Sequence, residues 1–293
     1  MTSKLIRGTA LDGQIRFFVT NTTNMVEDAK TIHQTSPVAT AALGRLLTAT
    51  SILGVMLKGE NNKVTARIHG NGPIGTMIAT SNATGNVKGY VGNPLVLVDS
   101  PTKGKLNVGG AVGTDGEITI IKDLGMKNSY ISNYPLVSGE IGEDFAAYFM
   151  HSEQTPSAVG LGVIMDVDYT IKSAGGFIIQ LMPETDENVA FIIEERIKEI
   201  GSVSELFAKS KNEKEVLEEL LGPFAPEIMK EYEIAYHCDC HRERFEKALI
   251  SLGKDELSKI LDEDGHAELQ CHFCNKTYQF NQENLKSLIR ESK

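Results

Sequence analysis

Positive charge is in short supply. Against 39 Asp and Glu stand 29 Lys and Arg, a formal net charge of −10. That balance disfavours a general binder of nucleic acid or of an anionic membrane, both of which are held by surplus cations. Long apolar runs are missing too. The first 18 residues include Lys4, Arg7, Asp12 and Arg16, so no secretory leader is expected there. The most apolar stretch, 37–57, contains Gly44, Arg45, Thr48, Thr50 and Ser51. It is too polar for a bilayer span and suits a buried or half-buried helix. A cytosolic chain without a membrane partner is the expectation. Walker loops, Gly-x-Ser-x-Gly elbows and His-Glu-x-x-His helices are absent, as is any repeat of solenoid period. Cysteine does not occur in the first 237 residues. It then occurs four times within 37 positions, as Cys238, Cys240, Cys271 and Cys274.

Two weak signals are set aside. Gly70-Asn-Gly-Pro-Ile-Gly75 has the glycine spacing of a dinucleotide loop, but Pro73 and the β-like stretch 76–80 do not open a helix. A turn between strands is expected instead. Ser152-Glu-Gln-Thr155 offers a hydroxyl without a base that the sequence can place beside it, so helix-end or turn chemistry is the better reading. No catalytic residue is assigned, and the chain is not expected to be an enzyme.

The hydrophobic content of 41% over 293 residues supports one large core and a small satellite. The fold class expected is α+β, with an N-terminal mixed sheet and helix domain, an acidic helical linker and a small C-terminal zinc-binding domain. Residues 1–180 carry short β-rich runs at 14–20, 63–69, 95–99, 117–122 and 163–171, separated by glycine-rich turns. Ser36-Pro37 is a good helix start, and 139–150 reads as a shorter helix. Residues 181–233 form the linker. From 184 to 233 the chain has 14 acidic and 6 basic residues, which is nearly all of the surplus negative charge. Val189, Ile192, Ile193, Ile197 and Ile200 recur at helical spacing, Ser202 and Glu205 fit a capping box, and Asn212 starts a helix that Gly222 ends. Helices this short are marginal in water and need a surface on which to dock. A permanent helical subdomain and a conditionally stable linker both fit.

Residues 234–293 form the third division. Helices are expected at 242–252, 254–262 and 282–290, and 267–270 and 276–280 flank a Cys-x-x-Cys turn as a hairpin. Four thiolates fill the tetrahedral shell that zinc prefers. His237, His241, His266 or His272 could replace one of them, with solvated surface histidines as the plainer reading. A domain of this size has a core worth only about 3–5 kcal/mol. A structural zinc adds about 10–16 kcal/mol, so losing it should unfold the unit. Joining Cys238 to Cys240 and Cys271 to Cys274 would remove every ligand at once, and the Cys-x-Cys ring, being short and strained, should be easy to reduce again.

Cys-x-Cys followed some thirty residues later by Cys-x-x-Cys, at the end of a chain of this length, resembles the 33 kDa redox-regulated heat-shock chaperone family of bacteria. Val108-Gly-Gly-Ala-Val-Gly113, Lys122-Asp-Leu-Gly125, Ser138-Gly-Glu-Ile-Gly142, Ser152-Glu-Gln-Thr-Pro-Ser157 and Ala174-Gly-Gly176 through Pro183 are similar to that family's motifs. The resemblance implies one zinc per chain, with Cys238, Cys240, Cys271 and Cys274 as ligands and redox sensors. It implies a reduced, metal-loaded form that is inactive as a chaperone. Oxidation would form the Cys238–Cys240 and Cys271–Cys274 disulfides, release zinc, unfold the C-terminal domain and loosen the linker. The active form would be a dimer that holds unfolding client proteins without ATP. Two other classes compete. A zinc-ribbon module for nucleic acid is weakened by the balanced charge of residues 234–293. A thiol oxidoreductase would need a βαβ setting around Cys271 and Cys274 that the hairpin does not supply.

Overall fold

A computed structural model describes residues 3–292 apart from 101, 103, 167 and 184. The chain begins with β1 (Ser3–Ala10), β2 (Ile15–Asn21), α1 (Thr23–His33), α2 (Pro37–Met56), β3 (Lys63–His69), β4 (Met77–Asn82) and β5 (Val87–Val91). It continues through α3 (Val108–Val112), β6 (Glu117–Asp123), β7 (Tyr130–Pro135), α4 (Gly142–His151), β8 (Ser157–Met165) and β9 (Ile171–Leu181). Then come α5 (Glu187–Ile200), α6 (Val203–Lys209), α7 (Glu213–Leu221) and β10 (Glu227–Ile234). The last elements are α8 (Arg242–Ile250), α9 (Lys254–Glu263), β11 (Ala267–Gln270), β12 (Thr277–Phe280) and α10 (Gln282–Glu291). The architecture is α+β, as expected. It divides into two compact units, Met1–His237 and Cys238–Lys293.

The first unit is built around α2. Ser36 caps it and Pro37 opens it. The apolar stretch that is too polar for a bilayer is a core helix, 94% buried over its most apolar window. Its hydroxyls do not oppose burial, because Thr48 and Thr50 donate to the carbonyls of Gly44 and Leu46 at 2.7 Å. Two five-stranded antiparallel sheets, in the orders β10-β1-β2-β9-β8 and β5-β4-β3-β6-β7, enclose this helix in one continuous core.

Strand alternation splits the first sheet between two cores. Leu5, Phe18, Ala174 and Ile178 join α2 in the main core. Ile6, Ile15, Phe17, Val19, Phe177 and Ile179 face the other way. On that outer face lie Val189 and Ile193 of α5, Leu206 and Phe207 of α6, and Val216, Leu217, Leu220 and Leu221 of α7. The apolar stripe of the acidic helices therefore has the dock that their length requires.

Three expectations are corrected. The run 95–99 is not a strand. Leu95 and Leu97 are exposed, and the carbonyls of Pro94 and Val96 accept from the backbone N–H and hydroxyl of Ser36, so the segment serves the start of α2 rather than a sheet neighbour. The run 163–171 is the β8–β9 hairpin, turned where Tyr169 N–H donates to the Asp166 carbonyl; its Val167 lies outside the described residues. The helix expected from 139 begins at Gly142. Gly139 and Ile141 sit at φ of 70° and 72°, and the Asp144 carboxylate accepts from the N–H groups of Val137, Ser138, Gly139 and Ile141. A helix-like composition is thus overridden by a local side-chain nest. Strand β10 falls within the stretch expected to be helical linker; its exposed, charged pattern is that of an edge strand laid on β1.

The glycine loop after β3 is a turn between strands. Gly72 and Ile74 donate their N–H groups to the carbonyls of Val112 and Ala111, which leaves none of these to cradle a phosphate.

Candidate metal centre

The second unit assembles around six buried side chains, Leu249, Leu257, Tyr278, Phe280, Leu285 and Leu288. Helices α8 and α9 fill the spacer between the two cysteine pairs, and α10 closes the unit with Asn281 as its N-cap. Strands β11 and β12 pair in the register Ala267↔Phe280 to Gln270↔Thr277, so the Cys-x-x-Cys turn sits at the tip of the expected hairpin. There the Cys271 N–H donates to the Lys276 carbonyl at 3.0 Å. The Cys271 carbonyl accepts from Cys274 and Asn275 at 3.2 and 2.8 Å. Asn275 takes the left-handed conformation (φ 56°) that so tight a turn requires and that asparagine tolerates.

The Cys-x-Cys pair comes from an irregular segment between β10 and α8, and Tyr278 ties it to the hairpin. Its hydroxyl lies 3.1 Å from the Cys240 carbonyl and 3.2 Å from the Cys240 sulfur. Phe245 stacks on the Tyr278 ring at 4.4 Å. Arg242, which opens α8, donates to the Gln279 carbonyl and to Asn284 Oδ1, and lies 4.3 Å above the Phe280 ring. These contacts bring together cysteine pairs separated by thirty residues of chain. Tyr278 and Arg242 were not singled out by sequence reasoning, and only the alternation of β12, which buries Tyr278 and Phe280, hinted at the first.

All four sulfurs lie within 4.8 Å of one another. Two close separations run across the motifs, Cys238 to Cys271 at 3.7 Å and Cys240 to Cys274 at 3.3 Å. A disulfide needs about 2.05 Å, so these are free thiols. Sulfurs about 2.3 Å from a tetrahedral zinc are about 3.8 Å apart, and the cluster is compatible with that arrangement. The donor set is four soft sulfurs, and the cluster includes no histidine nitrogen. Cys271 is buried and the other three are half-buried, which leaves the group within reach of a small oxidant.

The thiols share their protons unequally. Burial pushes Cys238 and Cys274 up. At Cys240 burial acts in the same direction, but hydrogen bonds from Tyr278 and the neighbouring thiols outweigh it and bring the thiol down to about 7. Tyr278 is raised in turn, first by its hydrogen bond to Cys240. A thiol lowered in this way has more thiolate near neutral pH than an ordinary cysteine, and thiolate is the form that binds metal and is oxidised.

The Hsp33 protein family profile matches residues 3–281. The 33 kDa chaperonin of Alkaliphilus metalliredigens is 55% identical over 291 residues, 99% of this chain and 100% of the relative. That of Clostridioides difficile is 47% identical over the same length and shares. Among solved structures, the 33 kDa chaperonin of Thermotoga maritima superposes with a TM-score of 0.90 at 39% identity, covering 98% of each chain.

Proposed function

The chain belongs to the Hsp33 family, and from that premise we propose that it is a redox-regulated, ATP-independent chaperone whose resting form is reduced and zinc-loaded. A chaperone role comes with the family. The observation that carries the redox gate is four free thiols within 4.8 Å of one another in a unit whose core cluster has, among the described residues, six buried side chains.

In this reading residues 1–180 are the client-holding core, 181–233 the releasable linker and 234–293 the switch. Cys238, Cys240, Cys271 and Cys274 would hold one zinc per chain. Bound there, zinc supplies a crosslink of about 10–16 kcal/mol to a small domain whose own core contributes about 3–5 kcal/mol. Two molecules of peroxide oxidise the two dithiols. Each pair of thiolates gives up two electrons, each peroxide takes up two protons from solvent, two disulfides form, and four waters leave. The pairing proposed, Cys238 with Cys240 and Cys271 with Cys274, follows the family resemblance. It removes all four thiolate donors together.

The switch then unfolds, and the linker loosens because the chain runs from Ile234 of β10 into Cys238 with three residues between. Release of α5, α6 and α7 would bare Ile6, Ile15, Phe17, Val19, Phe177 and Ile179. An apolar sheet face of this kind suits unfolding or oxidatively damaged clients, which expose apolar segments themselves. The active form is proposed to be a cytoplasmic homodimer.

Peroxide with mild heat should release one zinc per chain, read with a chromogenic chelator, as suppression of client aggregation switches on. Cys271→Ser should bind zinc more weakly and have a C-terminal unit prone to unfold even when reduced. Equal protection by the reduced, metal-loaded, unstressed chain would refute the gate.

A further inference from the structure

Four cations of the first unit line one cavity, and among the described residues none of them makes an ion pair. The cavity holds about 740 Å³ and is walled by Arg7 of β1, Arg16 of β2, Lys58 just after α2, and Lys230 and Tyr232 of β10, with Glu60 as its single carboxylate. Half-buried cations elsewhere in this unit carry a carboxylate, as Arg45 does with Glu140 and Lys122 with Glu153. Among the described residues, the one hydrogen bond from the Arg7 guanidinium goes to the Val55 carbonyl, at 3.4 Å. Arg16 donates to Gln180 Oε1 at 2.5 Å, while its buried Nε has no partner. The Nε of Arg45 is likewise buried, but that guanidinium has Glu140.

The backbone is bent at this place. The β1–β10 register shifts between Arg7 and Gly8, and a Cβ on Gly8 would stand 1.9 Å from the Glu227 carbonyl, so only glycine allows the approach. Arg7 and Lys230 both lie over the Tyr232 ring, at 5.9 and 4.6 Å. The Arg16 guanidinium is held below the ordinary arginine value, first by burial and then by the charge on Arg7. Like charges gathered without counterions are unfavourable, and more so in a chain of net charge −10 that has carboxylates to spare.

We propose that this cavity binds a phosphate-chain anion, either inorganic tripolyphosphate or the triphosphate of a nucleotide, through Arg7, Arg16, Lys58 and Lys230. Guanidinium forks match phosphate oxygens two at a time, and the lysines add point charges. The space exceeds what a single orthophosphate fills, which favours a chain of several phosphates. Because Lys230 and Tyr232 belong to β10, a bound chain would also fasten that strand to β1. Anion binding here is independent of the redox gate.

Calorimetric titration of the full-length, reduced, zinc-loaded protein at fixed ionic strength tests it, with orthophosphate, tripolyphosphate, ATP and citrate as probes. Tripolyphosphate should bind once per chain, about tenfold or more tighter than orthophosphate or citrate. ATP binding as tightly identifies a nucleotide site, and weak ATP binding identifies an inorganic chain. Arg7→Gln should weaken binding about tenfold, and the exposed pair Lys58→Gln with Lys230→Gln by a similar factor, a test that stands even if an arginine variant fails to fold. Lys259→Gln in the other unit should change nothing. Absence of saturable binding, citrate binding as well as tripolyphosphate, or undiminished affinity in the double lysine variant would overturn the assignment.

Discussion

At Cys240 the tyrosine hydroxyl and the neighbouring thiols outweigh burial, and the thiol falls to about 7. Tyr278→Phe removes that hydroxyl while keeping the ring that stacks on Phe245. A hydrogen bond to a charged sulfur is worth about 1.5–3 kcal/mol, so the variant should lose zinc to a competing chelator about tenfold or more readily. Glu153 tests a second balance. Burial would raise it, but hydrogen bonds from Lys122 and Tyr148, both 2.6 Å, outweigh burial and hold it below the usual carboxylate range. A folded value depressed in this way stabilises the protein above the ordinary carboxylate range, and that stabilisation is lost as pH falls through the folded value. Urea midpoints should therefore decline on acidification, and Glu153→Gln should be less stable at neutral pH with a flatter acid limb.

Among the elements, α5, α6 and α7 have 14, 7 and 9 residues and owe their order to the sheet beneath them. Phe207 of α6 rests on Gly175, where an added Cβ would lie 2.5 Å from its ring. Phe207→Ala should cost about 3–5 kcal/mol of docking. Hydrogen exchange in the three helices should rise while β3 and β6 stay protected, and the reduced, zinc-loaded protein should suppress aggregation without oxidant. Unchanged silence despite faster exchange would separate linker docking from the gate. Element by element, the sequence was most readable where period and punctuation agreed, as in β3, α7 and the β11–β12 hairpin. It was least readable at 95–99, where a short β-rich run serves a helix cap instead of a sheet, and at β10, whose charged edge has no apolar face to announce it.

For the whole molecule, the two units differ in how much core each can call on. The first has a continuous core spanning both sheets and α2, and the second has a core cluster of six buried side chains among the described residues. Chelation under reducing conditions should abolish exchange protection across α8, α9 and α10, while strands β1 to β9 keep theirs. Persistence of a compact second unit without metal would mean that its side chains suffice.

By itself the sequence determined the α+β class, the buried character of α2, the acidic helices and the four-cysteine grouping, because each follows from local period, capping or spacing. Tertiary structure alone decided that the sulfurs converge beside Tyr278, that one sheet face carries the acidic helices, and that Arg7, Arg16, Lys58 and Lys230 meet around one cavity. Those residues are far apart along the chain, and only the pairing of strands and the packing of helices sets the distances between them.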